Sequence, residues 1–420
     1  LSSRWQAVGP GLLWAGAAIG GSHLVQSTRA GAGWGFDLLW AVVLILILKY
    51  PFFEFAHRYT ASTGESLLHG YRRLGAWALG VFFAIALVSA VINAAAVTIV
   101  SASLLGGLLG LSWTLPNLAA LVFGLVAVIL VGGRYRTLDR AMKAMISVLA
   151  VLTLAGVAVA LRHGPAGDLA AAPRPAVWDA AGVAFLLALM GWMPAPLDIA
   201  VWSSLWTLAK NRADHRQVSV ADSRFDYHVG YVVTGVLAVA FVSFGALVMF
   251  GTGEAFADNG IVFANQLASM YARTLGEWTR WLIATVAFIT MFSTSLTVCD
   301  GYARTLVGCW RLLRAGRLWP ETDATGGRAG YLGVLGALML AGWLIIALWL
   351  SGLRALIDVA TITAFLTAPV VGWLSFAAVR REPVPPADRP GRRLTWLTWA
   401  GFVYLIGFGL VYLVTQVARG

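Results

Sequence analysis

Apolar stretches of about 20 residues, the length a helix needs to cross a bilayer, recur from one end of this 420-residue chain to the other. Within hydrocarbon no water can satisfy a bare N–H or C=O, so a stretch of that length must close its hydrogen bonds internally, as a helix does. Composition agrees. The chain is 59% hydrophobic and only 12% charged, about half the charged fraction of a soluble domain. These constraints predict an all-α polytopic membrane protein, one transmembrane domain over 1–420 with no separate soluble domain.

Eleven spans are predicted, at about 7–31, 37–58, 76–107, 116–132, 141–162, 179–205, 227–251, 277–309, 331–351, 355–379 and 396–418. The third and eighth are long for an upright crossing and are expected to tilt or project. Basic residues cluster after spans 2, 4, 6, 8 and 10: Arg58, Arg72 and Arg73; Arg134, Arg136, Arg140 and Lys143; Lys210, Arg212, Arg216 and Arg224; Arg304 to Arg328; Arg380 to Arg393. Intervening loops are nearly free of them, so the N-terminus is expected in the cytoplasm and the C-terminus outside. The same pattern explains the net charge of +11 without nucleic acid as a partner. No signal peptide is expected ahead of Arg4. Trp34, Trp113, Trp178, Trp278 and Trp396 fall at span ends, where indoles anchor to the lipid interface. Cys299 and Cys309 have neither disulfide nor zinc spacing.

Two of the spans are interrupted in their middles. The segment GPGLLWAGAAIGGSHLVQS breaks at Gly20-Gly21-Ser22, and GVAFLLALMGWMPAPLDIAVWSS breaks at Met193-Pro194-Ala195-Pro196. Interrupted helices in matching positions of two halves point to the substrate site of a secondary transporter. They are five spans apart, and an odd number inverts the second copy. Spans 1–5 (about 7–162) and 6–10 (about 179–379) are therefore expected to form an inverted 5+5 repeat, with span 11 (about 396–418) appended.

The opening GPGLLWAGAAIGGSHLVQSTRAGA resembles the first span of the NRAMP family of divalent-metal:proton transporters. KYPFFEFAHRYTASTGESLLHGY resembles that family's span 2, GGRYRTLDRAMKAMISVLAVL its entry to span 5, and SRFDYHVGYVVTGVLAVAF its span 7; the Met-Pro break resembles its span 6. The resemblance covers roughly ten spans. It implies a LeuT-like fold, alternating access, proton symport and a central site between spans 1 and 6. Departures fall on the metal chemistry. The family's Asp-Pro-Gly-Asn stands here as Gly20, Gly21, Ser22 and His23. Its metal-binding Met matches Met193, but the following His-Asn is Ala195-Pro196. Acidic residues of its span 3 are Ala94 and Val97, and its span 10 Gln aligns with Thr361.

Candidate substrate-binding residues are accordingly Gly20, Gly21, Ser22, His23, Gln26, Met193, Ala195, Asp198 and Thr361. Glycines at the first break leave backbone N–H groups at a helix N-terminus open to an anionic head, and a small carboxylate-bearing solute follows as the expected cargo. Alternatively, His23, Met193 and Asp198 with backbone carbonyls form a soft site for a divalent metal. Asp198 also reads as a cap on the second half of span 6. His23, Asp198 and Glu54 are the candidates for proton coupling, although Glu54 has Arg58, and Asp300 has Arg304, four residues on as ion-pair partners. Asn93 and the run Ser293 to Thr297 either line the site or bond neighbouring backbone.

No GxxxxGK[ST] loop, HExxH motif or nucleophile–base pair stands out, so neither ATP-driven transport nor an enzyme is expected, nor any cofactor. A sensor on the same scaffold is the remaining alternative; a chain ending just past span 11 speaks against it. The setting expected is a bacterial inner membrane, with lipid, protons and a small solute or ion as partners.

Overall fold

The computed structural model describes residues 10–132, 135–170, 172–213, 218–315, 327–348 and 352–418. Both chain ends, the basic residues Arg134, Arg216 and Arg317, and the expected end of span 9 at 349–351 lie outside them. Every regular element among the described residues is helical. The first broken span is α1 (Pro10–Ala18), a wide π-type turn (Gly21–Ser27) and α2 (Thr28–Trp34). Then follow α3 (Leu39–Thr63), α4 (Leu67–Leu74), α5 (Ala76–Leu109), α6 (Leu115–Gly132) and α7 (Tyr135–His163). The second broken span is α8 (Ala180–Gly191), a 3-10 turn (Leu197–Ile199) and α9 (Ala200–Ala213). The rest are α10 (Val220–Val248), α11 (Gly260–Leu275), α12 (Thr279–Arg314), α13 (Arg328–Leu348), α14 (Gly352–Val379) and α15 (Arg392–Val417).

Eight of these, α3, α5, α6, α10 and α12 to α15, are each long and apolar enough to cross a membrane whole. The other three expected spans fall on the two broken pairs and on α7, whose apolar part is Ser147–His163. Helices α5 and α12, with 34 and 36 residues, reach about 50 Å, against a hydrocarbon thickness of about 30 Å. They pack along each other in the centre of the bundle. Trp113, Trp178, Trp278 and Trp396 are more than half exposed, as anchors should be. Trp34 is not one of them: it stacks on Phe185 at 4.3 Å, because its face of α2 turns toward span 6.

Two helices lie where the sequence reads as loops. In α4, Leu67, Leu68 and Tyr71 point inward, the Tyr71 hydroxyl meets Ser375 Oγ at 2.7 Å, Arg72 donates to Leu312 O at 3.3 Å, and Arg73 is exposed. Helix α11 is capped by Asn259, which accepts from the Ile261 and Val262 N–H groups at 3.0 and 3.2 Å.

Helix α10 holds the first broken span on both sides of its break. A Cβ placed on Gly31 would lie 2.0 Å from Val242 O, and one on Gly245 2.4 Å from Thr28 O. At the other end, a Cβ on Gly11 would lie 2.3 Å from Asp226 O, and Gly11 N–H donates to Asp226 Oδ2 at 2.6 Å. Small residues permit this approach, the usual means of close helix contact in lipid. Pro51 interrupts the ladder of α3, and tyrosines of α10 serve the carbonyls nearby: Tyr231 donates to Leu46 O at 2.6 Å and Tyr227 to Tyr50 O at 2.9 Å.

A glycine-by-glycine contrast tests this packing. Gly33 has no neighbour within 4 Å of a would-be Cβ, so Gly33→Ala should be neutral or slightly stabilising. Gly31→Ala should cost about 1–3 kcal/mol or more through overpacking, read as a lower melting temperature of the detergent-purified protein.

Candidate functional site

The two breaks face each other in the interior of the bundle. At the first, α1 stops at Ala18 and Gly20 turns the chain with φ −148° and ψ −121°. Its carbonyl accepts from His23 and Leu24 N–H at 3.1 and 2.9 Å. A Cβ on Gly20 would lie 2.5 Å from Thr294 Oγ1, and one on Gly21 2.5 Å from the Trp192 ring. The second break is forced by Pro194 and Pro196, which lack the N–H that continuation of α8 requires. Gly191, at its edge, lies so close to α14 that a Cβ there would stand 1.8 Å from Thr361 O.

Between the breaks is a cavity of about 30 Å³, room for little more than water. Its walls are mainly apolar: Ala17, Ala18, Val97, Pro194, Pro196, Ile199 and Val298, with the indoles of Trp192 and Trp202. The polar side chains are Ser22, Asn93, Thr294 and Tyr302. A hydrogen-bonded wire runs out from it. Trp192 Nε1 donates to Asn93 Oδ1 at 3.1 Å, Asn93 Nδ2 donates to Tyr302 Oη at 2.8 Å, and Tyr302 donates to Asp198 Oδ2 at 2.6 Å. Trp202 is buried, and its indole N–H has no protein partner.

Of the residues singled out in the sequence, Gly21, Ser22 and Ala195 line the cavity, with Asn93 and Thr294. Gly21 is covered by Trp192, so its missing Cβ admits that ring. Gly20 lies behind, against Thr294. His23 points away, toward α10: Nε2 is 2.9 Å from Thr234 O and Nδ1 is 2.6 Å from Ser22 Oγ, which also donates to Ala18 O at 2.6 Å. Asp198 lies in the 3-10 turn just before α9, where it accepts from Tyr302. Met193 is fully buried and absent from the cavity wall. His23 and Asp198 are thus each engaged with other partners, and among the described residues no three of His, Cys, Asp and Glu gather as a metal centre.

Gln26 and Thr361 belong to a second cluster. Gln26 Nε2 donates to Thr361 Oγ1 at 3.3 Å and to Asp358 Oδ1 at 3.2 Å. Arg29 donates to Gln26 Oε1 and to Asp358 Oδ1, both at 2.8 Å. Nearby, Arg354 is hydrogen-bonded to Asp258 and holds that exposed carboxyl below its ordinary range. Glu54 lies in a third cluster, paired with Arg58 at 2.6 Å and Arg224 at 2.8 Å, while Arg58 also donates to Asp388 O at 2.6 Å. Asp300 pairs with Arg304 at 2.8 Å and accepts from Tyr331 at 2.6 Å.

Sequence reasoning missed four residues here: Trp192, Trp202, Tyr302 and above all Lys49. Lys49 lies in the middle of the apolar helix α3, well before the Glu54–Arg58 pair, and it is fully buried. A lysine in that setting is a functional candidate by default, so the signal was present.

A family model described as natural resistance-associated macrophage protein-like matches residues 11–415. An uncharacterized protein of Pasteurella multocida (strain Pm70) is 38% identical over 421 residues, covering 99% of this chain and 93% of that one. Among solved structures, a mutant manganese transporter of Eremococcus coleocola aligns with a TM-score of 0.72 at 14% identity, over 98% of this chain and 87% of that chain. MhsT in complex with L-phenylalanine aligns at 0.62 and 12% identity, over 98% of both chains. MHP1, a nucleobase-cation-symport-1 family transporter with bromovinylhydantoin bound, aligns at 0.60 and 14%, over 98% and 90%. All three share the fold.

Tyr302→Phe checks the wire. It strips Asp198 of a buried donor, and about 1–3 kcal/mol of stability should go with it, measured by urea or thermal unfolding in detergent.

Proposed function

The chain belongs to the natural resistance-associated macrophage protein-like family, and from that premise we propose that it is a proton-coupled secondary transporter whose cargo is a small organic solute with a carboxylate or similar acceptor head. It is an integral membrane protein and a transporter by family and fold. The finer reading adds eleven spans in an inverted 5+5 repeat plus one, an N-terminus in the cytoplasm, a C-terminus outside and a bacterial inner membrane.

One observation carries the choice of cargo: the cavity where the two breaks meet is walled mainly by apolar and indole groups, and among the described residues that line it there is no carboxylate, imidazole or thiol. A dication stripped of water needs several oxygen, nitrogen or sulfur ligands, normally with a carboxylate among them. The metal alternative would require His23 and Asp198 to leave the partners described above and join Met193. An organic solute asks less. Ser22, Asn93, Thr294 and Tyr302 supply polar groups on the cavity wall, and the indoles of Trp192 and Trp202 supply flat apolar surface.

Alternating access needs a closure on each side. The Arg29, Asp358, Gln26 and Thr361 cluster ties the first broken span to α14 and serves as the outer closure in the expected orientation. The Glu54, Arg58 and Arg224 cluster serves as the inner one. His23 offers a route for coupling to protons. Its Nε2 faces a carbonyl, which only accepts, and so carries the proton. Ser22 has one hydroxyl hydrogen for two acceptors, His23 Nδ1 and Ala18 O. Protonating Nδ1 would turn that hydrogen wholly to Ala18 O, linking the charge on His23 to the backbone at the break.

A thermal-shift screen of the purified protein against manganese, amino acids and small organic acids tests the cargo. One of the carboxylates should raise the melting temperature, and Trp202→Phe should weaken that shift at least tenfold in ligand concentration. Stabilisation by micromolar manganese, lost in Met193→Ala, would reverse the assignment. For the hit solute, His23→Gln keeps a donor for Thr234 O but cannot take up a proton. It should retain binding and counterflow while losing uptake driven by a pH gradient; unchanged gradient-driven uptake would remove His23 from the coupling.

A further inference from the structure

Lys49 resolves a problem that the second break creates. The last carbonyls of α8 and those of the irregular stretch after it have lost their i+4 donors, at the negative end of a helix dipole; Met190 O keeps one long backbone bond, from Met193 N–H at 3.3 Å. In an apolar interior such groups are not left bare. Lys49 Nζ lies 2.7 Å from Met190 O, 2.8 Å from Gly191 O and 3.4 Å from Ala195 O. An ammonium has three hydrogens to donate, and three carbonyls receive them.

Carbonyl oxygens converging on a single positive centre, replacing its hydration, are how proteins hold a desolvated cation. A carboxylate is also present at this break: Asp198 lies in the 3-10 turn just past Pro196. Tyr302 donates to that carboxylate. Neither charge is exposed to water, with Lys49 at 0% and Asp198 at 4% exposure. Isolated, either would be expensive in this interior.

We propose that the Lys49 ammonium is the cation of this break, built into the chain, so that no dissociable inorganic cation is needed or bound at the Met190, Gly191 and Ala195 carbonyls. The inference rests on α3 and the second break alone. It is independent of which solute the neighbouring cavity takes.

The test uses thermal melts of the purified full chain in chloride salts of sodium, potassium, methylammonium and choline at equal ionic strength. Wild type should melt at the same temperature in all four. Lys49→Ala should melt several degrees lower in choline and regain at least half of the loss in methylammonium, which restores an ammonium head where the side chain was removed. Lys49→Met keeps most of the stem without the charge; it should show the loss and, with the space filled, no recovery. Dependence of wild type on sodium or potassium would overturn the proposal. So would a Lys49→Met protein as stable as wild type, or a Lys49→Ala protein that methylammonium does not recover, whether folded beforehand or extracted in its presence. A failed solute screen leaves all of these outcomes intact.

Discussion

Carbonyls released where a membrane helix is broken must find donors, and the way this chain meets that demand organises the region around it. The end of α8 is met by a side chain from α3, Lys49, and the same short segment is pressed against α14 at Gly191, where no Cβ fits. Spans 2, 6 and 10 are thereby fixed to one another at one level of the bundle. The prolines that open the helix and the lysine that closes its polar account are one construction, although 141 residues separate Lys49 from Met190.

At the first break the same demand is met differently. There the Gly20 carbonyl is served by N–H groups of the wide turn itself, and Ser22 reaches back to Ala18 O. Glycine allows the turn and also lets Trp192 cross it. The space between the breaks is consequently filled largely by protein, which leaves a cavity of about 30 Å³. A solute larger than water enters only after Trp192 or its neighbours move.

The outline of this arrangement was legible in the sequence because its causes are local. Apolar length marks the spans, and Gly20-Gly21 and Pro194-Ala195-Pro196 mark the interruptions. Four-residue spacing marks the Glu54–Arg58 and Asp300–Arg304 pairs. What escaped depends on contacts between distant segments. Nothing beside Tyr302 in the chain announces Asp198 as its partner, and Arg29 finds Asp358 across 329 residues. His23 sits in the right motif, yet its ring turns to α10 because Thr234 O waits there. Trp34 sits at a span end like the interfacial tryptophans, but an end position does not say which way the ring faces.

The crossings of α10 with the first broken span bear on motion. Gly11 is bound to Asp226 on one side of the break, and on the other Gly31 meets Val242 and Ala246 while Gly245 meets Thr28 and Ala32. Both halves of the broken helix are packed against the same continuous neighbour. If these crossings hold through the cycle, spans 1 and 7 move as a single lever, and its joint lies at their contacts with the rest of the molecule. A covalent tether between these two spans would therefore ride along with the transport cycle, whereas a tether from span 1 to span 10 would arrest it.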